Sequence, residues 1–234
     1  MSIRKKILAT SIGPVLVLGV ITLLFMLTMV KSSLMDEVQD ALKGTAAATL
    51  AAYDQNTGDY LESTNGDIWK GSYNISKSEN LVDRIKENTG MDVTFFYGNK
   101  RIMTSALDKK GNRILGSEAG ERVVNQVIKG KKPFFSTNVS LDGTRNYGYF
   151  IPVYQNGTTD QVIGMVFVGT NKAQKDAIVN KILGSIMMAL LVVMFLCIVT
   201  AMRMAASISK NIKNSVAVVG KLADGDLNVW VDEK

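Results

Sequence analysis

Histidine is absent from this 234-residue chain, and with it go the commonest metal ligand and the commonest general base. No G-x-S-x-G elbow, P-loop or G-x-G-x-x-G loop occurs, so the nucleophile, phosphate and dinucleotide motifs of common enzymes are missing. Neighbouring carboxylates such as Asp36 and Glu37 point in different directions on a helix and read as solvated. No catalytic residue, metal site or cofactor is expected, and the chain does not read as an enzyme. Cysteine is almost missing too. The single Cys197 lies inside an apolar run, which leaves no disulfide for the polar part of the chain, so a hydrophobic core must hold that part together. With roughly 150 residues it is large enough to build one.

Charge is missing from two long stretches, residues 7–30 and 182–202. A hydrocarbon core of about 30 Å needs roughly 20 helical residues, and both stretches are long enough. For the first, a cleavable signal peptide is the alternative, because Arg4, Lys5 and Lys6 precede it. The run exceeds the usual signal-peptide apolar region, and no A-x-A-like site follows before Lys31-Ser32-Ser33, so an uncleaved anchor is the better reading. The second is flanked by Lys181 and Arg203, too long an uncharged run for an ordinary soluble helix. The basic flanks place residues 1–6 and the segment after residue 202 in the cytoplasm by the positive-inside rule. Residues 31–181 are then extracytoplasmic. The formal charge of +6 divides into +2 for this middle part and +4 for the two ends, which is no nucleic-acid signature.

After the first run a helical stripe continues through Leu34, Val38, Leu42, Thr45, Thr49 and Ala52. It suits either a dimer seam or the face that packs on the chain's own core. Residues 54–77 are polar and read as loops. Ser76 and Glu79 have capping-box spacing, Leu81, Val82 and Ile85 make an apolar stripe, and Gly90 supplies a stop, which predicts a short helix. Strands are expected at 91–97 and 101–107 around Gly98-Asn99-Lys100, and at 134–141, 145–155 and 162–170 around Asp142-Gly143 and Asn156-Gly157. A second helix is expected over 118–129, with Val123, Val124, Val127 and Ile128 inward and Gly130 as its stop. The sum is an α+β fold, a long helix followed by an antiparallel sheet of about five strands, the order of a PAS-like sensor.

The run Gly148-Tyr149-Phe150-Ile151-Pro152-Val153, followed by Val162-Ile163-Gly164-Met165-Val166-Phe167-Val168-Gly169, resembles single Cache sensor domains. Asp92-Val93-Thr94-Phe95-Phe96-Tyr97 and Arg101-Ile102-Met103-Thr104-Ser105 are similar to that family as well, and the resemblance covers residues 67–172. Beyond the second apolar run, Ala206-Ser207-Ile208-Ser209-Lys210-Asn211-Ile212-Lys213 and Lys221-Leu222-Ala223-Asp224-Gly225-Asp226-Leu227 resemble the first helix and connector of a HAMP relay. Asn211 stands where that family usually has proline, and Ser215 where an aliphatic residue is common. Together these resemblances imply the N-terminal half of a bacterial transmembrane chemoreceptor, a methyl-accepting chemotaxis protein. The sensor half of a histidine kinase or of a cyclic-dinucleotide enzyme is the alternative, and a partner-binding or dimerisation module a further one. No output module is encoded before Lys234, so the chain reads as a fragment or as lacking its output. A homodimer in the cell membrane, with both termini cytoplasmic, is expected.

For the ligand, Arg145, Tyr147 and Tyr149 form the leading constellation. Alternation places all three on one face of a strand, where a guanidinium between two phenols can grip a carboxylate, as of an organic or amino acid. The competing reading is a solvated hairpin arginine beside two core tyrosines. Arg101 is a second possible anion partner, and either Thr104 or Ser105 can reach a pocket, since they point to opposite faces. Lys129, Lys131 and Lys132 make a basic cluster that reads first as a solvated loop. Within the runs, Ser185 and Ala189 have small-xxx-small spacing, and Gly13-Pro14 marks a bend or interfacial turn.

Overall fold

A computed structural model describes residues 3–224. It divides into two units, one made of residues 32–179 and the other of the flanking segments.

In the flanking unit, helix α1 (Ile3–Phe25) runs through Gly13-Pro14 without interruption. The departure from α-helical geometry comes later, at a π-turn spanning Met26–Val30, where Thr28 Oγ1 donates to the carbonyls of Leu24 and Phe25 at 2.9 and 3.2 Å. Hydroxyls elsewhere in the apolar helices behave alike: Thr22, Ser185 and Thr200 donate to carbonyls three or four residues back. A polar side chain facing hydrocarbon must satisfy itself within its own helix. Val17, Leu18, Leu24, Val193 and Phe195 are exposed, a surface suited to lipid and costly in water. Both this helix and the last are long and apolar enough to cross a membrane. Within the unit a methyl at Gly19 would stand 2.9 Å from Met194 Sδ, so glycine there permits close packing.

The middle unit opens with α2 (Lys31–Asp54). Its inward face is Leu42, Ala46, Thr49 and Tyr53, all fully buried; of the stripe expected from the sequence Leu42 and Thr49 pack on the chain's own core, while Ala46 and Tyr53 take the inward places in preference to half-buried Thr45 and Ala52. Residues expected as loops instead form a small antiparallel meander, β1 (Tyr60–Glu62), β2 (Ile68–Lys70) and β3 (Tyr73–Asn74). Strands this short carry no readable alternation. The meander is fastened by Gln155, whose side-chain amide donates to the Tyr60 carbonyl at 3.0 Å and accepts from its N–H at 2.7 Å.

Helix α3 (Glu79–Thr89) starts after a 3₁₀ turn at Ile75–Lys77. The expected Ser76–Glu79 capping box does not form. Ser76 Oγ accepts from the Ile68 N–H instead (2.9 Å), while Ser78, the residue at the cap, pairs with the Tyr53 hydroxyl at 2.9 Å. Gly90 ends the helix as expected, in the left-handed conformation at φ 69°.

Five antiparallel strands follow: β4 (Asp92–Tyr97), β5 (Lys100–Thr104), β6 (Phe134–Leu141), β7 (Thr144–Tyr154) and β8 (Val162–Asn171), in spatial order β5-β4-β8-β7-β6. β6 and β7 join through Asp142-Gly143, at φ 46° and 77°, the two positive values of a type I′ turn. The expected helix at 118–129 is shorter. Only Glu121–Val123 is α-helical (α4), and Val124–Lys129 continue as a π-turn, because Glu118 is held extended by a bridge to Lys100. Gly130 is right-handed; it is required there because a Cβ would lie 2.5 Å from the Gln126 carbonyl oxygen. Helix α5 (Lys172–Ala223) follows β8 directly and passes unbroken through Asn211. The connector expected at Gly225-Asp226-Leu227 lies outside the described residues.

Strand alternation gives the sheet two buried faces. Val93, Phe95, Tyr147, Tyr149, Val166 and Val168 face α2 and α3. Phe96, Phe150, Met165 and Phe167 face the opposite side, beneath the π-turn residue Val127. A bidentate ion pair links α3 to the loop after β5. Arg113 Nη1 donates to Asp83 Oδ1 at 2.9 Å, Nη2 to Oδ2, and Nη1 also to the Thr104 carbonyl at 2.7 Å.

The Arg113 hydrogen bonds hold Asp83 below the usual carboxylate range. Its folded pKa therefore lies under the unfolded value of about 3.9, so the stabilisation is present above that value and is lost as pH falls through the folded pKa. The pair is partly exposed, which limits its worth to about 0.5–1 kcal/mol. Asp83→Asn is expected to lower the thermal midpoint at pH 7, and the gap to wild type is expected to shrink as pH falls from the unfolded value of about 3.9 through the lower folded pKa. Melting curves of both proteins across this range check this.

Candidate functional site

The face turned away from α2 is buried by its own side chains but has a cavity beside them. Gly148 on β7 and Gly169 on β8 are cross-strand partners, and the Phe167 ring lies over both of them. A Cβ at Gly148 would stand 2.5 Å from Phe167 Cε2, and one at Gly169 would stand 2.4 Å from Cζ. With both side chains absent, Phe167 settles low on the sheet, beside Phe150 at 4.8 Å between ring centroids. Above this aromatic floor is a cavity of about 480 Å³, within the range of small-molecule sites. Phe96 and Phe134 extend the floor, β6 supplies a polar wall from Ser136 to Ser140, and Glu118, Gly120, Arg122 and Val123 close the side.

Arg101 enters from β5. Its backbone is fixed at both ends, the N–H donating to the Ser117 carbonyl and the carbonyl accepting from the Gly116 N–H, each at 2.9 Å. The loop after β5 is thereby laid along this strand, and the arginine side chain is only 8% exposed. Nη1 donates to the Ile114 carbonyl at 3.3 Å, the guanidinium stands 5.3 Å from the Phe96 ring centroid, and Nε is buried without a partner. Burial pulls its pKa down, opposed by the charge of Asp92; an arginine stays protonated regardless. Arg122 stands over Phe134 at 5.4 Å. Among the described residues, neither arginine has a carboxylate within 4.0 Å. A buried cation lacking its counter-ion is costly to keep, and the space beside it is where an anion would remove that cost.

The sequence candidates distribute as follows. Arg145 is exposed beside the Asp142-Gly143 turn. Tyr147 and Tyr149 are on its face of the strand, as alternation requires, but that face is the α2 side, where both are core residues. None of the three lines the cavity. Thr104 Oγ1 pairs with Thr94 Oγ1 at 2.7 Å, and Ser105 Oγ accepts from the Val93 N–H at 2.9 Å, so both hydroxyls are spent within the sheet. Of the six, Arg101 alone reaches the cavity. Phe96, Phe134, Phe150, Phe167 and Arg122 were not singled out. The signal for three of the phenylalanines was available in parity, since each of Phe96, Phe150 and Phe167 alternates with a neighbour that faces α2.

Tyr147 has another role. Its hydroxyl donates to Asp176 Oδ1 at 2.5 Å and accepts from Lys172 Nζ at 2.6 Å, and these two α5 side chains pair at 3.3 Å. Burial and the Asp176 carboxylate raise the tyrosine pKa against the opposing Lys172, so the phenol remains a donor. The first turns of α5 are thus tied to the strand that carries Gly148 and Phe150 on its other face.

Residues 73–182 match the family model described as single cache domain 3. No match was found among curated proteins. Among solved structures, an extracellular ligand binding receptor from Desulfohalobium retbaense DSM5692 is similar at 14% sequence identity and a TM-score of 0.46, over 66% of this chain and 26% of that one. The present chain therefore spans about a quarter of that protein. The segment between the apolar helices carries a single Cache sensor domain, an α+β unit of antiparallel sheets with long helices at both ends.

Proposed function

We propose that the chain is the sensory part of a transmembrane receptor whose Cache domain binds a small anionic molecule in the cavity beside Arg101. One observation carries this: a guanidinium fixed and buried at the edge of a cavity, with Nε unbonded and, among the described residues, no carboxylate within 4.0 Å. In this reading residues 1–6 are cytoplasmic, 7–30 and 182–202 cross the membrane, 31–181 are extracytoplasmic, and 203–234 begin a HAMP relay. The basic flanks Arg4-Lys5-Lys6 and Arg203 support that orientation. The unbroken helix to Ala223 supports a relay segment. A homodimer is favoured by Ala47, Ala48 and Ala51, small exposed residues along α2. Chemotaxis is the proposed output, and a kinase or cyclic-dinucleotide enzyme is the alternative. The exposure of Arg145 favours a second reading, in which this domain docks a partner protein instead.

Signal would leave through β7 and α5. A ligand pressing on Phe150 or Gly148 moves the strand whose opposite face holds Lys172 and Asp176 through Tyr147. Helix shifts of about 1–2 Å suffice for such transmission, at a coupling of about 1–3 kcal/mol.

Arg101→Met is expected to raise the ligand-free thermal midpoint, because an unsatisfied buried donor costs about 1–3 kcal/mol, and to abolish stabilisation by anionic ligands. Differential scanning of both proteins with an organic-acid panel measures it. If ligand stabilisation survives in the variant, the cavity is not the site, and if no small molecule acts on wild type, the docking module leads. Tyr147→Phe is expected to keep ligand affinity within about twofold, since it lies outside the cavity. It should lose the ligand-dependent change in disulfide crosslinking between copies scanned along residues 182–202, with Cys197 replaced by serine. An unchanged response would exclude this route.

A further inference from the structure

The chemical class of the ligand follows from what surrounds the unpaired cation, granted that the cavity is the ligand site. We propose that the cavity selects small aromatic monocarboxylates, with the carboxylate on Arg101 and the ring against the half-buried Phe134.

Three observations narrow the choice. First, the arginine cannot swing out to meet a ligand in water. Its backbone is pinned to Ser117 and Gly116 and its Nη1 to Ile114, so the anion must come to it, and a planar fork favours a planar carboxylate. Second, the charge around the cavity is one-sided. Arg101 and Arg122 line it against a single acidic residue, Glu118, which is exposed. A ligand ammonium would find no enclosed carboxylate and would sit beside two cations, so amino acids and amines are disfavoured. Third, the floor is made of rings. Phe150 and Phe167 are inclined at 40° with centroids 4.8 Å apart, and Phe134 is 6.5 Å from Phe150. Phe96, Phe150 and Phe167 are buried, while Phe134 is half-buried and can accept a further ring in offset or edge geometry. A two-carbon acid would occupy a small part of about 480 Å³ and leave the half-buried Phe134 uncovered. An aliphatic dicarboxylate must carry its second charge across the ring faces, whose quadrupole repels anions, unless it spans to Arg122.

The test is calorimetric titration of the full chain in lipid nanodiscs with phenylacetate, benzoate, acetate, succinate, L-phenylalanine and phenethylamine. Phenylacetate or benzoate is expected to bind about tenfold or more tightly than the other four. Arg101→Met should weaken this binding by about 10- to 100-fold, and exposed Arg122→Ala by less. Where Arg101→Met fails to fold, Arg101→Lys keeps the charge and removes the fork, and the ranking of ligands on wild type stands without either variant. Tighter binding of succinate, lost in both arginine variants, would overturn the aromatic class while leaving the cavity as the site. Tighter binding of acetate or L-phenylalanine, dependent on Arg101, would do the same. Aromatic acids binding equally well to wild type and Arg101→Met would overturn both the class and the site, as would no response to any of the six.

Discussion

A strand at the centre of a sheet covered on both sides must satisfy two cores at once, and in this protein β8 meets that condition along nearly its whole length. Val166 and Val168 belong to the core beneath α2, while Met165 and Phe167 belong to the opposite one. A shift of register by one residue would exchange these sets, so the pairing of β8 with β4 and β7 is what fixes Phe96, Phe150 and Phe167 on the cavity side. Glycine is what allows the two sides to differ. At Gly148 and Gly169 the missing Cβ atoms lower Phe167 onto the sheet, and at Gly164 the Phe96 carbonyl comes so near that a Cβ would fall 2.0 Å from its oxygen. The Gly-rich signature of this region is therefore a packing requirement on both sides of one strand.

The cost of this arrangement is concentrated at Arg101. Hydrophobic cores of this size tolerate few unpaired polar groups, and an arginine buried between a loop and an aromatic ring, with Nε unsatisfied, is not there for stability. Elsewhere the same fold pairs its charges: Lys86 with Asp92 at 2.8 Å, Arg113 with Asp83 in a fork, and buried Lys70 against the Tyr60 ring and Asp54. Under the proposed function, Arg101 is where an anionic ligand would supply the counter-ion.

The elements were legible because hydrophobic periodicity and turn chemistry agree over 134–171, where expected and observed strands differ by one residue at most. Gly90 and Asp142-Gly143 were readable for the same reason, as each needs a positive φ. The β1–β3 meander was not, since strands of two or three residues leave no period to read. The constellation of Arg145, Tyr147 and Tyr149 shows the limit for the site. Alternation correctly groups them on one face, but a single sequence does not say which face carries the long helix. A binding residue and a core residue two positions apart look alike until that is known. Arg101 was visible only as an arginine at a strand start, a position more often solvated; its burial comes from the loop 114–119, which has no regular pattern.

The two sides of the sheet also differ in packing, and under the proposed function that difference suits transmission. Beneath α2 the packing is closed: Tyr53 meets Phe95 edge-on at 5.1 Å, Tyr60 stacks on Phe95 at 5.8 Å, and Tyr53 is further tied to Ser78. On the other side the buried rings of Phe150 and Phe167 adjoin a cavity of about 480 Å³. Filling that volume adds contacts only on the loose side, so the sheet can respond only as a unit with the helices already fixed to its tight side. Of these, α5 follows β8 with no intervening residue and is held to β7 by Lys172 and Asp176. It is thus attached to two neighbouring strands, both of which carry cavity phenylalanines. Two attachments make the helix sensitive to a change in angle between the strands as well as to their translation. Under the proposed function, occupancy of the cavity would act on the helix through that angle.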